Sequence, residues 1–373
     1  MIPILDSLFE HCVELGASDI HLSVDEPPRF RVQGKLAPRP EFASFDARTV
    51  DDIAMELGLY TLPLGCPDGT ELVRKTLVRD GAIDGALTAP DGQRYRFNLF
   101  RQQGRTSVAL RRLDGTFRSL AELGLPQRIA DFAREPDGLV IVTGPTGSGK
   151  STTLATLIDG INSTRECFIV TIEDPIEFEH KSRRSLVNQR QIGRDARGFN
   201  EALVEAMRQD PDVILVGEMR DMETARTALR ASETGHLVFA TLHAGDCIGA
   251  IERLISVFPA DEQNSVRHQL AMVLRGIVAQ HLLPSADGRR RHAVAEVLVN
   301  TSGVANLIAT GRTSQIRSAI ETGSNVGMRS LEESLASLLF KGAITERAAY
   351  MLTRNPESLR RRIFGTEAVG EIE

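Results

Sequence analysis

The sequence predicts an α/β protein: a parallel sheet covered on both faces by helices, preceded by a small α+β domain and followed by a helical segment. Three observations predict it. Past residue 137, continuous apolar runs recur at 139–142, 168–172, 213–216, 237–240 and 293–299, with helical stretches between several of them. Strands apolar on both faces are buried on both faces, as in a parallel sheet with helical cover. Upstream, the segments 19–23, 29–33, 94–100 and 107–112 instead alternate polar and apolar residues, as half-buried strands do. Finally, the chain has 373 residues, more than the roughly 250–300 at which single cores stop growing, so about two domains are expected.

In chain order, residues 4–15 place Ile4, Leu5, Leu8, Phe9, Cys12 and Val13 at helical spacing, with a stop near Gly16. Together with the alternating strands this makes residues 1–115 a small α+β domain. Its middle, 60–91, is broken by Pro63, Gly65, Pro67, Gly69 and Pro90 and yields no clear element. Gly115, Gly124, Pro126 and Pro136 mark a linker over 116–136. The apolar runs fill 137–300, and the pattern over 301–373 is helical, with Leu331, Leu335, Leu338 and Leu339 on one side. The last residues, 366–373, are small and acidic and read as frayed.

Composition narrows the function. The 44 Lys+Arg against 50 Asp+Glu, a net charge of −6, argue against a dedicated nucleic-acid binder. The 42% hydrophobic content excludes a disordered chain, and no run approaches the roughly 18–20 apolar residues of a membrane span. The N-terminal stretch has early acids and no basic leader, so it does not read as a signal peptide. Cys12, Cys66, Cys167 and Cys247 are scattered, without the close ligand pairs of a zinc ribbon, and read as free thiols in a cytoplasmic protein.

The sharpest motif is Gly144-Pro145-Thr146-Gly147-Ser148-Gly149-Lys150-Ser151, which fits G-x-x-x-x-G-K-[ST] and lies between an apolar strand and a helix at 151–161 that includes Thr152. Its glycines let backbone N–H groups turn inward around a phosphate, and the helix start adds the positive end of its dipole. Lys150 would reach the β- and γ-phosphates of a nucleotide, and the Ser151 hydroxyl would join the shell of Mg²⁺. Glu173, Asp174 and Glu177 follow the next strand, at the carboxyl end where open α/β sheets bind ligands. Three acids there could orient water or a hydrated metal; an acid-rich surface turn is the alternative.

Residues 210–218 form an apolar strand ending in an acid, the shape of a Walker B segment, but Gly217 stands where the metal-binding Asp is usual. Glu218 is left as the terminal carboxylate, suited to Mg²⁺ held through water. It could activate the attacking water, join the metal shell, or do both. His236 and His243 sit at the two ends of another apolar strand, about seven residues apart and too far to share one ion. One end would sense a γ-phosphate or a neighbouring subunit; a core histidine is the alternative for each. Arg208 and the N-terminal Arg94, Arg96, Arg101, Arg111 and Arg112 are candidate cationic fingers, with a solvated strand face as the alternative. The run Arg360-Arg361-Arg362 could meet an anionic surface or simply be solvated.

Over about residues 16–344 these motifs resemble the secretion/pilus ATPase superfamily, and within it the type IV pilus retraction (PilT-like) ATPases. Gly16-Ala-Ser-Asp-Ile-His21-Leu is similar to the opening motif of that family's PAS-like N-terminal domain. The Walker A match is complete, 171–178 resembles the Asp box, 210–221 the Walker B and 233–244 the His box. The resemblance implies a RecA-like P-loop core in a homohexameric ring that binds ATP and Mg²⁺ between the two domains of each subunit.

It also implies a site. Glu177, Glu218, Arg208 and His243 would be catalytic, and Ser151 and Glu218 would serve the metal. The loop 144–152, Glu173, Asp174 and His236 would bind ATP, with Arg96 and Arg111 closing over the phosphates. Rotation of the domains would retract a pilus through an inner-membrane platform protein, with a second pilus ATPase as a further candidate partner. The place implied is cytoplasmic, peripheral to the inner membrane. A related secretion or assembly ATPase and a non-catalytic ring subunit are the alternatives. One departure stands out: the family's tail motif carries two arginines where this chain has Ala305 and Ala309.

Overall fold

The computed structural model describes residues 2–39, 41–63 and 65–365; the expected frayed end at 366–373 lies outside the described residues. The chain divides into two compact units. The first holds residues 1–116 with 172–179 and 189–198, and the second holds 117–171, 180–188 and 199–373.

The first unit contains α1 (Pro3–Glu14), β1 (Asp19–Leu22), β2 (Arg29–Val32), β3 (Lys35–Pro38), α2 (Ala47–Gly58), α3 (Gly69–Asp80), β4 (Ala82–Thr88), β5 (Arg94–Gln102) and β6 (Arg105–Leu113). The strands form one antiparallel sheet in the order β3-β2-β1-β6-β5-β4. Helix α1 buries Leu5, Leu8, Phe9 and Cys12 of the six residues its periodicity singles out, leaving Ile4 half-buried and Val13 exposed, and Phe9 stacks on Tyr95 with ring centroids 4.3 Å apart. The same alternation that buries Tyr95, Phe97 and Leu99 turns Arg94, Arg96 and Asn98 to the opposite face of β5.

Residues 60–91 are more regular than their prolines and glycines suggested, for they contain α3 and β4. Of the four aliphatic side chains on α3, Val73 and Leu77 are buried while Leu72 and Val78 are exposed, so the helix presents only a thin apolar stripe. Helix α2, capped by Asp46 through Thr49 N (2.8 Å), was equally absent from the sequence reading.

The second unit runs through α4 (Arg128–Asp131), β7 (Gly138–Thr143), α5 (Lys150–Thr164), the first part of β8 (Phe168–Glu173, with 172–173 in the first unit), the first part of β9 (Leu186–Gln191, with 189–191 in the first unit), α6 (Phe199–Ala206), β10 (Val213–Val216), α7 (Met222–Glu233), β11 (Leu237–Leu242), α8 (Cys247–Ser256), α9 (Gln263–Val273), β12 (Leu274–Pro284) and β13 (Arg291–Val299). Among the described residues five α-helices follow: α10 (Ser302–Ala309), α11 (Ile316–Thr322), α12 (Leu331–Phe340), α13 (Glu346–Leu352) and α14 (Pro356–Phe364). The sheet order is β13-β12-β7-β11-β10-β8-β9.

Strands β7, β10, β11 and β12 are mutually parallel, as the two-sided apolar runs predict. The run at 293–299 departs from that expectation. It is β13, antiparallel to β12, because the short turn between them can only return the chain beside itself. The sheet is therefore mixed. The stretch 116–136 is no free tether either, since Leu120, Leu125, Ile129 and Phe132 enter the same core as Val140, Val142, Leu157 and Ile158.

Helix α12 buries Leu331 and Leu335 against Val294, Ile344 and Leu359, with Leu338 and Leu339 at the margin. All four cysteines are free, Cys12 and Cys247 buried and Cys66 and Cys167 half-buried. No helix among the described residues is long and apolar enough to cross a membrane.

Candidate active site

Strand β7 has all six residues buried and delivers the chain to the loop 144–149 at the edge where β11 also ends, with Leu242 opposite Thr143. The loop requires glycine at two points. Gly144 has φ 148° and Gly149 φ 90°, and a Cβ on them would lie 2.2 Å from the Gln280 carbonyl oxygen and 2.7 Å from Gln280 Nε2 respectively. Gln280 on β12, only 3% exposed, is the reason the fit is close. Its Nε2 donates to Ser148 O (2.8 Å) and its Oε1 accepts from Thr153 Oγ1 (2.6 Å), so one amide braces both the loop and the first turn of α5. Lys150 Nζ donates to Gly144 O (2.9 Å) and Pro145 O (3.1 Å). Pro145, Thr146, Gly147 and Ser151 are exposed, Thr152 is half-buried and Ser148 is buried, so the loop offers its outer rim to solvent.

Glu218 stands just past β10, whose exit is stitched to β11: Thr241 Oγ1 donates to Gly217 O, and Met219 N donates to Thr241 O (3.1 Å). The carboxylate is held at both oxygens, Oε1 lying 3.1 Å from His243 Nε2 and Oε2 2.7 Å from an Arg220 guanidinium nitrogen. Burial alone would raise its pKa. The Arg220 hydrogen bond and charge, aided by His243 and Lys150, outweigh that and hold Glu218 below the usual carboxylate range. His243 is fixed in turn: its carbonyl accepts from Arg253 (3.0 Å), and the next residue, Ala244, exchanges hydrogen bonds with Thr143 Oγ1. The structure thus brings Lys150, Glu218 and His243 together at the carboxyl edge of the parallel strands.

Two predicted residues fall elsewhere. His236 precedes β11, whose six residues span about 20 Å. It lies at the strand end beside Gly138, with its Nδ1 3.0 Å from Ala231 O at the close of α7. Within one chain it is therefore remote from the phosphate loop and does not share a site with His243. Arg208 follows α6 and is exposed before the start of β10, again at the amino edge of the parallel strands, so it does not complete this chain's own site. The physical reason is common to both: a parallel strand carries its two ends to opposite edges of the sheet.

The remaining candidates belong to the first unit. Glu173 accepts from Gln189 Nε2 (3.2 Å), which also donates to Phe178 O (2.8 Å), and Ile192 N donates to Glu173 O (2.9 Å). The loop carrying Asp174 and Glu177 is gripped by Arg94, which is 8% exposed and donates to Ile176 O, to Thr88 Oγ1 (3.1 Å) and to Glu179. Arg94 is thereby a loop clamp and not a free finger. Arg96 and Arg111 do share a face as directly opposed residues of β5 and β6. Their mutual repulsion is offset by Asp84, 3.9 Å from Arg96, and Asp19, 2.9 Å from Arg111 Nε.

Sequence reasoning missed Gln280, Arg220 and Thr143. Arg220 had a signal, since two residues apart on an extended segment puts its side chain on the Glu218 side. Gln280 had none, being 132 positions from the carbonyl it braces.

The donor set suits a metal that arrives with its nucleotide. No group of three or more His, Cys, Asp or Glu side chains among the described residues could cage an ion. One hydroxyl and one carboxylate are instead what Mg²⁺ uses when phosphates and water fill the rest of its shell.

Known proteins match this chain over most of its length. Residues 1–323 match the family described as Type II/IV secretion system protein. The type IV pilus retraction ATPase PilT of Pseudomonas aeruginosa is 39% identical over 354 residues, covering 95% of this chain and 99% of that protein. A twitching motility protein of Neisseria gonorrhoeae is 44% identical over 286 residues, 77% of this chain and 76% of its own length. Among solved structures, the pilus retraction motor PilT with bound ADP superposes with a TM-score of 0.82 at 37% identity, covering 96% of this chain and 99% of that one. The matched family spans most of the chain, the retraction motor matches it nearly end to end, and both meet at a phosphate loop already in place: this chain belongs to the type II/IV secretion system protein family, in its PilT-like retraction ATPase branch.

Proposed function

We propose that this chain is the ATP-hydrolysing subunit of a motor that retracts type IV pili. The observation that carries the reading is the convergence of Lys150, Glu218 and His243 beside a phosphate loop that requires glycine at 144 and 149. In this reading residues 137–300 are a RecA-like core, 1–115 a PAS-like domain, 116–136 a linker and 301–373 a helical region. The subunits form a homohexamer that works at the cytoplasmic side of the inner membrane against a pilus platform protein, without nucleic acid.

The chemistry follows from the residues. The loop 144–149 and the start of α5 bind the phosphates through backbone N–H groups, and Lys150 exchanges its two loop carbonyls for β- and γ-phosphate oxygens. Ser151 and, through water, Glu218 would hold Mg²⁺, which would supply positive charge against the phosphates. The Glu218 carboxylate, kept ionised by Arg220, orients the water that attacks the γ-phosphorus, and the bond to the ADP oxygen breaks. His243 fixes the Glu218 rotamer and reports on the γ-phosphate. Glu173, Asp174, Glu177, Arg96 and Arg111, all of the first unit, are the further nucleotide-site residues of this reading.

A second reading has one feature in its favour. Helix α10 carries Ala305 and Ala309 at the tail-motif positions and no charged residue along its length. A retraction-type ATPase serving a related secretion system would dispense with those arginines. The test joins an ATPase assay to a mass measurement of the ring for the wild type, Lys150→Ala and Glu218→Gln, with pilus counts in a deletion strain. Ring-forming variants that hydrolyse ATP at the wild-type rate refute the site. Blocked secretion in place of excess pili favours the second reading.

A further inference from the structure

The loop that carries His243 is fastened at each of its four residues. His243 O accepts from Arg253 (3.0 Å), Ala244 exchanges hydrogen bonds with Thr143, and Gly245 O lies 2.8 Å from His281 Nε2. The fourth fastening comes from far down the chain: the Arg354 guanidinium is ion-paired with Asp246. Asp246 is only 13% exposed at its side chain and also caps α8 through Gly249 N (2.6 Å). Arg354 lies so close over the loop that a Cβ on Gly245 would come within 2.6 Å of it.

Arg354 is itself held in place. The turn between α13 and α14 is gathered by Glu332, 7% exposed, which accepts from Thr353 Oγ1 (3.0 Å), Arg354 N (3.3 Å) and Asn355 N (3.3 Å). Glu332 rides on α12, which is bound to the sheet by Ser334 Oγ donating to Ala295 O (2.6 Å). An unbroken chain of contacts therefore runs from the C-terminal helices through Arg354 and Asp246 to the histidine that meets Glu218.

We propose that Arg354 is a positioning residue for ATP hydrolysis: by clamping Asp246 it holds the His243 loop in register with Glu218, so that turnover depends on the seating of the C-terminal helices. Their own core, Leu331, Leu335, Ile344, Ala349 and Leu359 against Val294, contains neither partner of this ion pair. Arg317 lies 3.9 Å from the same carboxylate, farther than Arg354, and is the weaker partner. The inference rests on the ATPase reading above and adds a residue to it. Nothing about Arg354 reaches the phosphate loop, so the nucleotide's grip is not the quantity it controls.

The test uses the full-length protein with Arg354→Ala, Arg354→Lys, Asp246→Asn and the Ala/Asn double variant. Asparagine still caps α8 while removing the charge that faces Arg354. The measurements are kcat and KM for Mg-ATP, the thermal midpoint and the oligomer mass. Expected is a fall in kcat of about tenfold for Arg354→Ala and for Asp246→Asn, with KM within about twofold. The double variant should be no worse than either single, because both remove one interaction, and Arg354→Lys should recover part of the loss. A kcat within twofold of wild type in either single variant overturns the inference, as do losses that multiply in the double. If Arg354→Ala fails to assemble, Asp246→Asn decides on the same criteria. A wild type that releases no phosphate refutes the ATPase reading and this inference with it, whereas an active Arg354→Ala refutes the inference alone.

Discussion

Replacing Gln280 by leucine tests the phosphate loop's support, since the side chain braces the loop through the Ser148 carbonyl. It keeps similar volume but deletes the donor to Ser148 O (2.8 Å) and the acceptor for Thr153 Oγ1 (2.6 Å). Both partners are buried, and a buried polar group that loses its partner costs about 1–3 kcal/mol. Thr153 Oγ1 can turn back to a carbonyl of its own helix, which softens one of the two losses. A net penalty of about 1.5–3 kcal/mol is therefore expected, carried by the loop and the first turn of α5.

If about half of it is felt as loss of the loop's prepared shape, ATP affinity falls by roughly three- to tenfold, since 1.4 kcal/mol is a factor of ten. Titration calorimetry with a non-hydrolysable ATP analogue reads the affinity, and urea unfolding of the same sample reads the stability. Affinity within twofold of wild type, with stability unchanged, would show that the amide is not a brace.

Other outcomes follow from the same geometry. Gly144→Ala drives a methyl to within 2.2 Å of a backbone carbonyl at φ 148°, and equilibrium dialysis should find ATP binding abolished. Arg220→Gln removes the charge that holds Glu218 low; a group with a depressed pKa is ionised above that value and loses its charge as pH falls through it. The acid limb of the kcat profile should therefore move to higher pH in the variant, and an unmoved limb counts against Glu218 as the titrating group. His243→Ala should lower kcat at least tenfold, while His236→Ala, at the far end of β11, should change ATP affinity less than threefold; equal effects on affinity would contradict the sheet register.

Much of this was legible in the residues. The strand–glycine loop–helix order around Lys150 announces phosphate binding because its requirements are local: a turn only glycine makes easily, followed by a helix start. The two-sided apolar runs predicted the buried parallel strands for the same reason. Legibility failed where a signal was weak or shared. Helix α3 buries just two aliphatic side chains, too few to stand out among flanking glycines and prolines. The run at 293–299 looked like its parallel neighbours because β13, like them, buries apolar residues on both faces, Val294, Ala295, Val297 and Leu298, and strand direction leaves no mark on composition.

By itself the sequence determined the α/β class, the phosphate loop and the carboxylate at Glu218, for these rest on spacing within about ten residues. Tertiary structure alone decided which histidine meets that carboxylate. It also decided that Arg94 clamps a loop, that Gln280 braces another, and that Arg354 reaches the His243 turn. Each of those pairings joins residues 25 to 132 positions apart, brought together by sheet register and helix packing. Register is a property of which strands lie side by side, and no short stretch of chain carries that information.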